Sequence, residues 1–202
     1  MSKLLLAAIA AYLLGGVPFG YLLVKWKTGR DVRAMGSGNI GATNVLRTTG
    51  RLAGLITLLL DIGKGYFSVW LAGRLTGGSA AGMSVAALAV MAGHAFPVFL
   101  HFRGGKAVAS FLGAFLYLAP PAVLAAGLVF VVTVWRTRYI SMGSMVASGT
   151  FPLALWLIGR VPWVVVGAGA LAGAFVIWRH KENIQRLRAG KENVFSLGGR
   201  KS

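Results

Sequence analysis

Three short polar segments hold most of the groups in this chain that could handle a phosphate or a hydroxyl. The first runs Gly36-Ser37-Gly38-Asn39-Ile40-Gly41-Ala42-Thr43-Asn44-Val45-Leu46-Arg47. Glycines at 36, 38 and 41 let backbone N–H groups converge on an anion, Ser37 and Thr43 add hydroxyl donors, and Arg47 can grip phosphate with two parallel bonds. The same residues would also make a tight interfacial turn with flanking arginines, and the local sequence leaves both readings open. The spacing matches G-x-G-x-x-G, but no strand–turn–helix context surrounds it, so a dinucleotide-binding fold is excluded.

The second segment is Gly93-His94-Ala95-Phe96-Pro97-Val98-Phe99-Leu100-His101-Phe102-Arg103-Gly104-Gly105-Lys106-Ala107. Gly104 and Gly105 permit close approach to a ligand, and Lys106 stands where the next helix begins. A cation at a helix N-terminus opposes the helix dipole, and an anion between the two would resolve that conflict. Arg103 and Lys106 would equally serve as topological anchors, and His94 and His101 as interfacial packing. The third segment is His180-Lys181-Glu182-Asn183-Ile184-Gln185-Arg186-Leu187-Arg188. If the preceding helix continues, His180 and Asn183 share one face and could orient a hydroxyl or steady developing negative charge. A solvated basic tail is the plainer account.

Two smaller features stand apart. Asp61 and Lys64 are three residues apart inside an apolar stretch, where ions are rare and costly; they read as a self-neutralising pair. Ser141 and Ser144 open another apolar stretch, where a hydroxyl could either line a polar site or cap the helix.

Some chemistry is missing. The chain has no cysteine, which removes thiolate nucleophiles and cysteine metal sites. Its three histidines have no ligand-like spacing with its four acids, so no metal and no cofactor is expected. The formal charge of +17 lies in short loops between apolar spans rather than on one soluble face, which argues against nucleic acid and for a membrane with anionic lipid.

Only 12% of the 202 residues are charged and 56% are hydrophobic. Apolar segments at about 4–24, 53–73, 80–100, 107–135, 142–159 and 162–178 approach the roughly 20 residues that cross a bilayer as a helix. The first, longer than a signal-peptide core, is expected to stay as a span. Pro120–Pro121 splits the fourth into two short spans, 107–118 and 121–135. The count is then seven, with the N-terminus outside and the C-terminus in the cytoplasm. That arrangement puts 17 of the 21 Lys and Arg residues on one side, as the positive-inside rule requires; six spans would scatter them. Gly169 and Gly173 form a small-xxx-small pair expected to serve helix packing rather than dimerisation. The expectation is an all-α integral membrane protein forming one polytopic domain over 1–202.

Taken in order, GSGNIGATNVLR, HAFPVFLHFRGGKAVA and HKENIQRLRAGKE resemble the bacterial acyl-phosphate:glycerol-3-phosphate acyltransferase family, of PlsY type, and the resemblance extends over essentially the whole chain. One departure is Ile40, where the family usually has proline. The resemblance implies acyl transfer from acyl phosphate to glycerol 3-phosphate, giving lysophosphatidic acid and phosphate, in the bacterial inner membrane with the site facing the cytoplasm. It implies Ser37, Arg47, Lys106, His180 and Asn183 as the reacting set. Gly36, Gly38, Asn39, Gly41, Thr43, Asn44, Gly104, Gly105 and Ser144 would bind substrate. Expected partners are acyl phosphate, glycerol 3-phosphate, the bilayer and the soluble enzyme that makes acyl phosphate. The chain lacks the His-x4-Asp pattern of other glycerolipid acyltransferases, so a His–Asp base is unsupported. Direct attack by the glycerol hydroxyl, with a substrate phosphate oxygen as base, fits better than a covalent Ser37 intermediate, because Ser37 has no evident base. An anion transporter is the competing class, but it needs a polar route to the outer face, and all the recognisable elements lie inside. A non-catalytic adaptor would leave the three polar segments unexplained.

Overall fold

A computed structural model describes residues 2–195; Arg200 and Lys201 of the basic tail lie outside them. The described residues are helical, with no strand. They form two compact units, Met1–Leu118 and Ala119–Ser202.

The N-terminal unit holds α1 (Lys3–Gly16), α2 (Phe19–Thr28), α3 (Ala42–Thr49), α4 (Arg51–Thr76), α5 (Ala80–Ala95) and α6 (Val108–Leu118). The first apolar segment is a candidate span, as expected, but its helix is broken. It stops at Val17 and restarts beyond Pro18, because proline has no N–H to continue the ladder. The carbonyl of Val17 at this break receives the Lys64 ammonium from α4 at 2.9 Å. A break at membrane depth is tolerated when its backbone groups are satisfied within the protein, as here. Small residues let the helices close up. A side chain at Gly93 of α5 would strike the Tyr12 carbonyl of α1, and one at Gly113 of α6 would strike the Ile62 carbonyl of α4.

The C-terminal unit holds α7 (Pro120–Thr137), α8 (Ile140–Ala154), α9 (Trp163–Arg179) and α10 (Lys181–Arg188). The split at the double proline occurs as expected, with Pro120 and Pro121 in the first turn of α7. The second half runs for 18 residues rather than being short. Pro152 leaves the Ser148 carbonyl without its helical donor, and α8 ends in a wide π turn over Leu155–Gly159. Gly173 of α9 lies directly against that Ser148 carbonyl, while Gly169 packs on Leu155 and Phe151. The small-residue pair thus serves helix packing within the unit.

Among the described residues, five helical segments are long and apolar enough to cross a membrane: 3–28, 51–76, 80–100, 120–137 and 140–159. Joining α9 to α10 across a 54° bend makes a sixth, and α6 is a shorter apolar helix. Large apolar side chains point outward along these helices, as at Leu124, Leu128 and Val131 on one stripe of α7, while Ala122, Val123 and Ala126 face inward. This inverted dressing suits a lipid solvent. It makes the chain an all-helical membrane protein.

Candidate active site

In the N-terminal unit, the polar segments 1 and 2 hang from one apolar cluster. Val24, Val32, Ile40, Val45, Ala53 and Leu100 are all buried together, with Tyr21, Leu23 and Met35 packed on them. Ile40 and Val45 come from the first segment and Leu100 from the second, so both are anchored by the same core. Ile40 fills that core at 2% exposure, and its carbonyl lies against Gly20 of α2, where any side chain would collide.

The first segment is more ordered than a plain loop. Asp31 accepts from the Arg33 N–H at 2.8 Å and pairs with the Arg33 guanidinium at 2.7 Å, starting a 3-10 turn over Val32–Ala34. The side-chain hydrogen bond from Arg33 holds the Asp31 carboxyl below the ordinary carboxylate range. The chain then passes Gly36 at φ 57° and Gly38 at φ 71°. Gly36 is required twice over, since a Cβ there would also meet Asn44 Oδ1. Asn44, 2% exposed, organises everything upstream of it. Its Oδ1 accepts the Ser37 N–H at 2.9 Å, and its Nδ2 donates to the carbonyls of Met35 at 3.0 Å and Asn39 at 2.7 Å. Asn39 Oδ1 in turn accepts the Gly41 N–H at 2.8 Å, closing an Asx turn into α3. Of the residues expected to bind substrate, Asn39 and Asn44 therefore direct these side-chain atoms at the loop itself. Ser37 and Thr43 are partly exposed, and Arg47, four residues after Thr43, stands exposed on the same face of α3. That short amphipathic helix had no separate place in the sequence reading.

The second segment folds back under the end of α5. The N–H groups of Gly104 and Gly105 donate to the carbonyls of Ala95 at 3.2 Å and His94 at 3.0 Å, two acceptors a helix C-terminus leaves open. Lys106 follows, partly buried, and Ala107 at φ 61° turns the chain into α6, which begins at Val108, one residue later than expected. His94 is 4% exposed and so is packed rather than interfacial; His101 is exposed at φ 53°. Asp61 and Lys64 do form an ion pair, at 2.8 Å.

In the C-terminal unit, the last helix does not continue through His180. His180 ends α9 with φ −94° and ψ 12°, and α10 leaves at the 54° bend. The condition for His180 and Asn183 to share one continuing helix is not met: the His180 N–H bonds back to Ile177, and its carbonyl starts the next helix. Both His180 and Asn183 are nevertheless buried, at 3% and 4% exposure. His180 Nδ1 sits 2.7 Å from the Val176 carbonyl. A carbonyl only accepts, so the proton lies on Nδ1, and in the neutral ring Nε2 is the acceptor nitrogen. Asn183 Nδ2 donates to both oxygens of Glu192, at 3.1 and 3.2 Å, and Arg186 Nε donates to Glu192 Oε2 at 3.0 Å. Glu192 is a residue the sequence reading counted only as an acid. Its signal was position: a carboxylate shortly after Gly190, where the chain can turn back on α10. Ser144 Oγ donates to Ile140 O at 2.9 Å, while Tyr139 is the N-cap of α8, so neither serine caps it. Among the described residues no group of three His, Asp or Glu gathers as a metal site would require.

The helical architecture, with large apolar side chains turned outward and polar segments held by internal hydrogen bonds, defines an integral membrane protein. A family model described as glycerol-3-phosphate acyltransferase matches residues 5–190. The chain belongs to that family. It is 44% identical to a glycerol-3-phosphate acyltransferase of Desulforamulus reducens, over 96% of this chain and 95% of the relative. It is 48% identical to one of Jannaschia sp., over 93% and 90%. It is also similar to the crystal structure of PlsY (YgiH), an integral membrane glycerol 3-phosphate acyltransferase. The glycerol 3-phosphate form matches with TM-score 0.90 and 37% identity, and the lysophosphatidic acid form with TM-score 0.88 and 36% identity; each comparison covers 96% of both chains.

Proposed function

We propose that this protein transfers a fatty acyl group from acyl phosphate to glycerol 3-phosphate, releasing phosphate and forming lysophosphatidic acid, an early step of bacterial phospholipid synthesis. The observation that carries this reading is the shared anchoring of the two polar segments that bear Arg47 and Lys106, in a chain of this family. Its substrates would each carry a phosphate. Solved relatives in glycerol 3-phosphate and lysophosphatidic acid forms support the acceptor and the product.

In the reaction, the glycerol hydroxyl oxygen bonds to the acyl carbonyl carbon, and the carbonyl–phosphate C–O bond breaks with its electron pair leaving on phosphate. The hydroxyl proton goes to a phosphate oxygen. Acyl phosphate already has a good leaving group, so the protein supplies orientation and charge neutralisation. Arg47 and Lys106 hold phosphate, with the hydroxyls of Ser37 and Thr43 around it; the Ser37, Gly38, Gly41, Gly104 and Gly105 N–H groups already donate within the protein, so these glycines shape the turns rather than donate to the phosphate. In the C-terminal unit, Ser144 belongs to the polar lining, and His180 and Asn183 orient the nucleophile or steady the developing oxyanion. Asn183 is held for its role by Glu192. No metal or cofactor enters, and the soluble enzyme that makes acyl phosphate is the expected supplier.

The same proposal includes seven crossings, an outside N-terminus and a cytoplasmic site. At 11 residues, α6 is about 16 Å long and crosses only with help from the flanking chain. The charge partition favours this count. The tryptophans lie near helix ends, as interfacial belts at either face require. Sealed liposomes test acylation against transport. Given acyl phosphate and labelled glycerol 3-phosphate, they should make lysophosphatidic acid; uptake of label without product would support the transporter instead.

A further inference from the structure

The reaction as described makes no use of the buried ionic cluster in the N-terminal unit. Asp61 and Lys64 of α4 and His94 of α5 are 2%, 6% and 4% exposed. Lys64 Nζ lies 2.8 Å from Asp61 Oδ1, and His94 Nδ1 lies 3.6 Å from the same oxygen. Lys64 alone neutralises Asp61, so charge balance leaves the histidine unexplained. Its other edge supplies the reason. A Cβ placed on Gly105 would have, as its three nearest neighbours, Nε2, Cδ2 and Cε1 of His94. The imidazole is the wall on which the Gly105 backbone rests, one residue before Lys106. Just beyond, Ala107 is fully buried at φ 61°, a left-handed conformation that non-glycine residues rarely adopt. Such backbone persists only where its surroundings over-determine it, and strain of this kind clusters at ligand clamps.

We propose that His94, oriented by Asp61, is a positioning residue for Lys106: the ring sets the path of the Gly104–Gly105 backbone and so the direction in which the ammonium is offered to phosphate. This rests on the reading of Lys106 as a phosphate-binding cation. Lys64 has a supporting part, allowing Asp61 to stay charged at depth while tying the α1–α2 break to α4. Ionisable groups inside a membrane are expected to be functional by default, and this assigns the cluster a function.

The test uses the purified full-length protein. It measures kcat and KM for both substrates. It also measures the rate at which an amine-reactive reagent modifies Lys106, followed by peptide mapping, with and without glycerol 3-phosphate. His94→Gln should lower kcat/KM at least tenfold, mainly through KM, and abolish protection of Lys106 by glycerol 3-phosphate. Asp61→Asn/Lys64→Met keeps an oxygen beside Nδ1, whereas Asp61→Leu/Lys64→Met does not; the first should be at least tenfold more active although both remove the ion pair. Gly105→Ala should be severely impaired, and adding His94→Ala should recover part of that loss by removing the wall. His94→Gln with normal kinetics and normal Lys106 protection overturns the proposal, as do equal activities of the two Asp61/Lys64 doubles. A fully active Lys106→Ala overturns the phosphate role of Lys106 instead, and the labelling of Lys106 in His94→Gln then still decides the positioning claim. If His94→Gln does not purify as a folded protein, the two doubles and the Gly105 pair decide it.

Discussion

The two units prepare their polar residues in opposite ways. In the N-terminal unit the scaffold is backbone: glycine turns, an Asx turn and one buried asparagine shape the loop, and the cations Arg47 and Lys106 are carried on top of it. In the C-terminal unit the expected site side chains are themselves inside the scaffold. His180 is bonded to Val176, Asn183 to Glu192 and Ser144 to Ile140. The first arrangement suits gripping a charged group that arrives from water. The second suits holding one geometry while charge moves, because a side chain with committed bonds does not reorganise.

That contrast can be broken by mutation. Arg47→Ala and Lys106→Ala should each cost about 1.5–3 kcal/mol of transition-state binding, roughly ten- to a hundredfold in kcat/KM, with folding intact. Arg47→Lys should restore little, because an ammonium cannot replace a two-pronged guanidinium. Near-normal kinetics with both substrates subsaturating would remove that residue from the site. In the C-terminal unit, His180→Ala and Asn183→Ala should lower kcat more than they raise KM, by about tenfold, and Glu192→Gln should reproduce the Asn183 effect at smaller size. A pure KM effect there would erase the distinction between the units. Chelators should leave activity unchanged, and acyl phosphate alone should leave no stable acyl label; a trapped acyl-Ser37 would overturn direct transfer. The smallest effect belongs to Asp31→Asn. Asp31 is held below the ordinary carboxylate range by Arg33, so its contribution to stability is present at neutral pH and is lost as pH falls through the lowered value. Thermal stability of the variant should therefore fall slightly below wild type at pH 7 and converge with it in strong acid. The pair is partly exposed, which keeps the difference small.

The sequence made some of this structure readable and hid the rest. Membrane helices were legible because lipid enforces long apolar runs, and the α6–α7 break because proline forbids an alternative. The break at Val17–Pro18 escaped notice, although the same physics applies: a single proline between apolar stretches leaves hydropathy unchanged. Gly36 and Gly38 were legible through their freedom at positive φ, and Gly104 and Gly105 through the close approach that a missing side chain permits. The roles of Asn44 and Glu192 were not, since a side chain that bonds the backbone or a distant partner leaves no periodic signature. His94 was hidden for a related reason, because its contact with Gly105 joins two residues that only the fold of the 96–107 loop brings together.

The account turns on which acyl donor the protein uses, and a donor comparison with purified protein in defined lipid tests it most directly. Labelled glycerol 3-phosphate would be offered with acyl phosphate, acyl-CoA or acyl carrier protein, and lysophosphatidic acid quantified over time. The account predicts rapid product from acyl phosphate, with one phosphate released per acyl group transferred, and product from the thioesters at background level. Equal or faster transfer from a thioester would contradict it, because a donor without an acyl-bound phosphate gives Arg47 and Lys106 nothing to align.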